Sequence, residues 1–124
     1  MIMMLDNLYM IKGKRNTATG FDVDVSFNEK HPIYNAHFPG NPITPGVCII
    51  EILKQLLESH YDLKLFMKTM RNVKFLQVII PDSTTIISFK ITSKKNEDGT
   101  ISANLIVENA DTCFTKMSAI YTIL

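Results

Sequence analysis

The sequence carries little excess charge and few of the residues that mark special compartments. Its 13 basic and 12 acidic residues leave a formal net charge of +1, so no overall field would attract nucleic acid or a membrane surface. Its two cysteines, Cys48 and Cys113, lack a metal-ligand spacing and fall in apolar runs, which predicts buried, reduced thiols. Tryptophan is absent. These scarcities disfavour nucleic-acid partners, metal sites and a disulfide framework.

No apolar run approaches membrane-spanning length. The first ten residues contain Asp6 and lack a basic segment ahead of an apolar one, so we expect no signal peptide and a cytoplasmic protein. Hydrophobic residues make up 46% and charged residues 20%, an ordinary globular composition. With 124 residues and no repeats or linkers, the sequence predicts a single domain over residues 1–124.

Apolar periodicity divides the chain into strands and one helix. Residues 20–28 alternate apolar and polar side chains, the period of a half-buried strand. We predict further strands over 8–15, 69–80, 84–93, about 101–107 and 112–124, with a loop over 28–36 and a hairpin loop over 95–99. Pro45 to about His60 should be a helix, and its polar residues Glu51, Lys54, Gln55 and Glu58 form one narrow stripe. Two strands, a mostly apolar helix and four strands predict an α+β fold whose six-stranded antiparallel sheet wraps the helix.

The stretch from His37 to Gln55 contains three prolines and two glycines before the apolar helix begins. Proline restricts itself and the residue before it, so residues 37–44 should form a stiff loop. Thr44 is expected to cap the helix, with Pro45 at its first position. Gly46 and Val47 would then present unpaired N–H groups at the positive end of the helix, and Glu51 projects from it two turns on. A histidine, a helix N-terminus that can hold an oxyanion and a nearby carboxylate are the groups that acid–base chemistry beside a carbonyl requires.

This stretch, with the order of elements, resembles the hot-dog fold and, within it, the 3-hydroxyacyl-[acyl-carrier-protein] dehydratases. The resemblance is carried by His37-Phe38-Pro39-Gly40, Pro42, Pro45-Gly46-Val47, Glu51 and Gln55, with fourteen residues from histidine to glutamate. The lead-in Pro32 to Ala36 is also similar, and Val73-Lys74-Phe75 and Ile80-Pro81-Asp82 echo the family more weakly.

Several positions depart from the family pattern. Ala36 stands where the family usually has glycine, Leu76-Gln77 replaces a basic pair, and Pro81-Asp82 lacks the glycine expected between them. The N-terminal motif region of the family is largely missing. These departures favour a specialised relative, in a fatty-acid pathway or a secondary lipid or polyene pathway.

Dehydration of a 3-hydroxyacyl thioester to a trans-2-enoyl thioester needs a base for the C2 proton, a proton for the departing hydroxyl and stabilisation of the enolate oxygen. The resemblance implies His37 as the base and Glu51 as the proton donor, and a histidine pKa near 6.5 suits the first task. The N–H groups of Gly46 and Val47 suit the oxyanion. Phe38, Pro45 and Gln55 are expected to bind substrate or line its tunnel. No metal or cofactor is expected.

The resemblance also implies a homodimer, possibly within a higher assembly, and an acyl carrier protein that presents the substrate on phosphopantetheine. A basic run, Lys64, Lys68, Arg71 and Lys74, would receive this carrier, or is simply a solvated edge. Two alternatives stay open at this point. One is a non-catalytic acyl-binding subunit, which the departures from the family pattern keep open although the retention of both His37 and Glu51 argues against it. The other is a hot-dog acyl thioesterase, which has less support because the motifs of that family differ from this loop.

Overall fold

The computed structural model describes residues 6–36 and 40–124 as six strands and two helices. The bounds are β1 Tyr9–Asn16, β2 Gly20–Phe27, α1 Ile33–Ala36, α2 Gly46–Tyr61, β3 Leu65–Phe75, β4 Ile87–Lys95, β5 Ile101–Asn109 and β6 Thr112–Ile123. Each strand pairs antiparallel with its neighbours in the order β1-β2-β4-β5-β6-β3. The predicted α+β class is therefore correct.

The core lies between α2 and the concave face of the sheet. On β2 the buried apolar side chains are Phe21, Val23, Val25 and Phe27, the residues that alternate in the sequence. On α2 they are Cys48, Ile49, Ile52, Leu53, Leu56 and Leu57. The predicted polar stripe of α2 is only half-buried, so the sheet covers the helix on all sides but this one.

The start of α2 differs from the prediction. Pro45 is the N-cap residue, with an extended conformation at φ −61° and ψ 144°, and Gly46 is the first helical residue. Thr44 does not cap the helix, because its buried hydroxyl forms a 2.8 Å hydrogen bond with the Tyr34 hydroxyl. At the other end, the N–H of Asp62, in the left-handed conformation, donates to the carbonyl of Glu58.

Two strand predictions were wrong at their ends, and the predicted loop over 28–36 contains α1. β3 begins four residues earlier than predicted and ends at Phe75. Beyond Phe75, the N–H groups of Leu76 and Gln77 both donate to the carbonyl of Phe114. β4 begins only at Ile87, since Asp82 binds the backbone and side chain of Thr84 in a tight turn. Side-chain hydrogen bonds in such turns compete with strand pairing.

The two edge strands, β1 and β3, flank the open side of α2. β3 and the segment after it expose several large apolar side chains, namely Phe66, Met70, Phe75, Leu76, Val78 and Ile80. Exposed apolar residues concentrated on one edge mark a surface suited to another molecule. No helix in the described part of the chain is long and apolar enough to cross a membrane.

Candidate active site

An apolar groove of about 700 Å³ opens at the N-terminus of α2. One wall is the loop and first turn of the helix, and the other is the segment that follows β3. The lining residues are Ile43, Thr44, Pro45, Gly46, Val47, Ile49, Phe75, Leu76, Gln77, Val78, Ile79 and Thr115. This volume is typical of pockets that bind small molecules. The structure thus brings three predicted site residues, Pro45, Gly46 and Val47, together in one groove.

The first turn of α2 supplies hydrogen-bond donors to this groove. The N–H of Cys48 already donates to the carbonyl of Pro45, at 3.0 Å. The N–H groups of Gly46 and Val47 precede it at the N-terminus, where a helix offers them no partner of its own. The Val47 side chain is half exposed, which leaves this end of the helix accessible. An oxyanion placed here would meet two backbone donors and the positive end of the helix dipole.

Glu51 lies on a second groove of the same chain. That groove runs between α2 and β3 and is lined by Ile50, Glu51, Lys54, Leu65, Phe66 and Met67. The carboxylate of Glu51 is half-buried, and its Oε1 lies 3.4 Å from Nζ of Lys54, one turn along the helix. Glu51 therefore has an ion-pair partner on its own helix, beside the groove.

Gln55 is held by β1 rather than directed at either groove just described. The Tyr9 hydroxyl donates to Oε1 of Gln55 at 2.8 Å. This hydrogen bond joins the edge strand to the polar stripe of α2, and burial, with a smaller effect from the Glu51 charge, raises the pKa of Tyr9. Tyr9 therefore stays protonated and can donate throughout the physiological range. The predicted role of Gln55 in substrate binding stays a prediction.

Helix geometry raises Glu51 along the axis from both proposed oxyanion donors in one chain. Relative to Gly46, five residues earlier, Glu51 is rotated by roughly 140° and raised by about 7.5 Å, and relative to Val47, four residues earlier, it is rotated by roughly 40° and raised by about 6 Å. Two other predicted site residues, His37 and Phe38, lie outside the described residues. The described part of the chain thus holds the oxyanion donors and the carboxylate on different grooves.

Phe75 is a site residue that the sequence did not single out. Its side chain, 52% exposed, packs against Gly46 so closely that a Cβ added there would lie 2.6 Å from Cζ of the ring. The sequence contained a signal in Val73-Lys74-Phe75, which echoes the family, but nothing local shows that β3 carries Phe75 back to α2. The pairing of Phe75 with Thr115, a long-range contact, places it there.

Behind the groove, two titratable side chains are buried and inert. Desolvation raises the pKa of Tyr34 to about 12 and that of Cys48 to about 11. Both groups therefore stay neutral at cellular pH and serve packing rather than proton transfer. The prediction of a buried thiol is correct for Cys48, whereas Cys113 is only half-buried. Residues 6–36 and 40–124 contain no cluster of three or more potential metal ligands.

Solved structures with the same architecture define the class. The dehydratase heterocomplex ApeI:P from Xenorhabdus doucetiae superposes with a TM-score of 0.68, at 13% sequence identity, over 91% of this chain and 96% of that one. A protein of the thioesterase superfamily superposes with a TM-score of 0.56 over 94% of this chain and 83% of its own. At these identities the likeness establishes the fold alone, which is the hot-dog fold.

Sequence comparison identifies the family within that fold. A model of the family described as ApeI-like, ApeI dehydratase, matches residues 13–115. The chain is 33% identical to the 3-hydroxyacyl-[acyl-carrier-protein] dehydratase FabZ of Ehrlichia canis over 104 residues, covering 76% of this chain and 69% of the relative. It is 32% identical to that of Clostridium acetobutylicum, covering 79% and 72%. The chain belongs to the ApeI-like dehydratase family.

These comparisons confirm three predictions: the dehydratase family, the hot-dog fold and a dehydratase activity. The match to another relative, the FabZ dehydratase of Ehrlichia chaffeensis, spans only about half of that protein, 52% of its length.

Proposed function

We propose that the chain removes water from 3-hydroxyacyl thioesters carried by acyl carrier protein and yields trans-2-enoyl thioesters. The observation that carries this proposal is the apolar groove ending at the N–H groups of Gly46 and Val47. An acyl chain fits the apolar walls, and a thioester carbonyl fits the donors. The names of the FabZ relatives, which act on 3-hydroxyacyl-[acyl-carrier-protein], support the substrate class.

The reaction is a proton-balanced elimination. His37, as a neutral imidazole, takes a proton from C2, and charge develops on the thioester oxygen at the Gly46 and Val47 N–H groups. The C2–C3 double bond forms as the C3–O bond breaks, and the departing hydroxyl leaves as water with a proton from Glu51. The imidazolium and the carboxylate then exchange the remaining proton with solvent or with each other, which restores both groups.

We further propose that two chains share each active site. Within one chain, Glu51 lines a different groove from Gly46 and Val47, so a second chain would bring a carboxylate to the proposed oxyanion donors. The exposed apolar edge formed by β3 and residues 76–80 offers the surface for this pairing. In a two-fold homodimer each groove would meet the partner's polar stripe, and the arrangement would occur twice.

An acyl carrier protein is the proposed partner of the basic side chains on β3 and immediately before it. Lys64, Lys68, Arg71 and Lys74 are all exposed. The register of the sheet adds Lys116, which lies opposite Lys74 on the same face. Like charges directly opposite each other destabilise a sheet, so an anionic partner bound here would reduce the repulsion between Lys74 and Lys116. Lys74 and Lys116 are next in sequence to Phe75 and Thr115 of the groove, so a carrier bound there would sit beside it. The cytoplasmic location stays a prediction.

The proposal is tested by incubating the protein with a panel of 3-hydroxyacyl carrier-protein thioesters and following the acyl-carrier mass by mass spectrometry. Loss of one water from the acyl chain is the expected result. Loss of the whole acyl chain would instead identify a thioesterase. An unchanged mass across the panel, with retention of the acyl carrier by the protein, would identify a non-catalytic binding subunit.

A further inference from the structure

The close contact between Phe75 and Gly46 places an aromatic ring at the N-terminal end of α2. A Cβ built on Gly46 would lie 2.6 Å from Cζ, 2.8 Å from Cε2 and 2.9 Å from Cε1 of Phe75. Only the tip of the ring is that close, so the ring stands end-on against the glycine. Helical Cα–Cβ bonds tilt towards the N-terminus, so the ring tip lies on the side to which the first N–H groups point.

The backbone of Phe75 is firmly held. Phe75 pairs with Thr115 at the end of the β3–β6 ladder, and the N–H of the next residue, Leu76, donates to the carbonyl of Phe114 at 2.8 Å. Both sides of the ring's attachment are therefore fixed to β6. The side chain can change rotamer, because half of it is exposed, but its Cα cannot move away from the groove. The backbone position of Phe75 is therefore fixed beside the groove, and its ring packs on Gly46 in the rotamer observed.

The chemistry of the proposed reaction brings C2 of the substrate beside Phe75. The thioester oxygen is bound at the first turn of α2, and C2 is only two bonds from that oxygen. One of the two C2 hydrogens must face the base that removes it. The other stays on C2 throughout the reaction and occupies space on a different side of the carbon, inside a groove whose lining includes Phe75 packed against Gly46.

We infer that Phe75 is a specificity-determining residue that restricts the enzyme to 3-hydroxyacyl thioesters with no substituent at C2. A methyl group in place of the retained hydrogen needs the volume that the Phe75 ring fills beside Gly46. The inference rests on the proposed function, because it places the thioester oxygen at the Gly46 and Val47 N–H groups. It goes beyond that function by naming which substrates are rejected and which side chain rejects them.

The test compares 3-hydroxybutyryl and 2-methyl-3-hydroxybutyryl thioesters of the same carrier. Water loss is measured by mass spectrometry, and the readout is the ratio of the two kcat/KM values. For the wild-type protein we expect a preference of about 10–200-fold for the unbranched substrate, the range for one methyl group in a tight apolar site. Phe75→Ala should lower that ratio at least about tenfold, and Phe75→Leu should lower it partly. Phe75→Trp should raise it.

Met10→Ala is the matched control. Met10 is also an exposed apolar side chain on an edge strand, but on β1, away from the groove, so the ratio should not change. If Phe75→Ala does not fold, the ratios measured for Phe75→Leu and Phe75→Trp test the inference, because these variants retain a large apolar side chain and should fold. Equal use of both substrates by the wild type, or a ratio that no Phe75 substitution changes, overturns the inference while the proposed function stands. Failure to dehydrate any 3-hydroxyacyl thioester of the panel described above overturns both.

Discussion

At the scale of single residues, Gly46 combines two properties that separate variants can distinguish. Its missing side chain makes room for Phe75, and its N–H is a proposed oxyanion donor. The extended ψ of 144° at Pro45 is compatible with a following proline, and proline is accepted at the first helical position. Gly46→Pro and Gly46→Ala both add a Cβ that pushes against the ring, but only proline removes the N–H.

We therefore expect Gly46→Ala to lose some turnover and Gly46→Pro to lose about 10²–10³-fold more. The comparison uses kcat on an unbranched 3-hydroxyacyl carrier-protein substrate, after circular dichroism has shown that both variants are folded. The alanine variant serves as the steric control. Equal turnover by the two folded variants would remove the Gly46 N–H from the mechanism.

The second prediction at this scale concerns the proposed acid and base. Glu51→Gln keeps the shape of the side chain but cannot exchange a proton, and His37→Ala removes the base, so each should be inactive while remaining folded. Glu97→Gln, in the exposed hairpin loop, is the matched control and should keep full turnover. Near wild-type water loss by either site variant would refute its assignment.

The sequence predicted the residues of the site better than their placement. The motif spacing identified Pro45, Gly46 and Val47, and the structure places them in one groove. Thr44 was wrongly predicted to cap the helix. Its hydroxyl instead forms a hydrogen bond with the hydroxyl of Tyr34, ten residues earlier, and no local sequence rule predicts that bond. Phe75 was missed for the same reason, since only the β3–β6 pairing brings it to α2.

At the scale of the elements, α2 and β2 could be predicted from the sequence because their apolar periodicity is strong. The alternation in β2 and the apolar faces of α2 gave bounds within one or two residues. β3 and β4 were displaced because their ends depend on hydrogen bonds that periodicity does not encode: the two donors at Leu76 and Gln77, and the Asp82 turn. β3 also contains irregular register and a positive φ of 54° at Asn72.

The C-terminal end of α2 is joined to β1 and β2 through His60. Its ring stacks on Phe21 at a centroid distance of 4.0 Å and lies edge-on to Tyr61 at 5.0 Å. Nδ1 lies 3.0 Å from Nζ of Lys14, which can donate to a neutral imidazole. Burial, and then the Lys14 charge, lower the pKa of His60 below 6.5.

This lowered pKa predicts a pH-dependent contribution to stability. The unfolded chain binds a proton at His60 more readily than the folded one, so the contribution is complete above pH 6.5 and is lost as pH falls through the lower folded pKa. The free energy of unfolding, measured with urea, should fall more between pH 7.5 and pH 5.5 for the wild type than for His60→Gln. The effect should be small because His60 is partly exposed, and equal losses would contradict the stacked, neutral imidazole.

At the scale of the whole molecule, one chain presents the proposed oxyanion donors and the proposed acid on two different grooves. The groove at Gly46 carries the proposed donors, and the stripe with Glu51 faces outward between the two sheet edges. The sequence predicted a dimer through the family resemblance. It could not show this division, which follows from the rise of α2 between its first turn and Glu51 and from where β3 ends.

The central claim is dehydration at a site completed by two chains. His37→Ala and Glu51→Gln chains, each inactive alone, are co-expressed with different tags, and mixed dimers are purified through both tags. Each mixed dimer has one site with both residues intact and one with neither, so purified mixed dimers should recover about half of the wild-type rate of water loss, and a randomly paired mixture about a quarter. Mixed dimers that form but lose no water from a substrate accepted by the wild type would contradict the shared site.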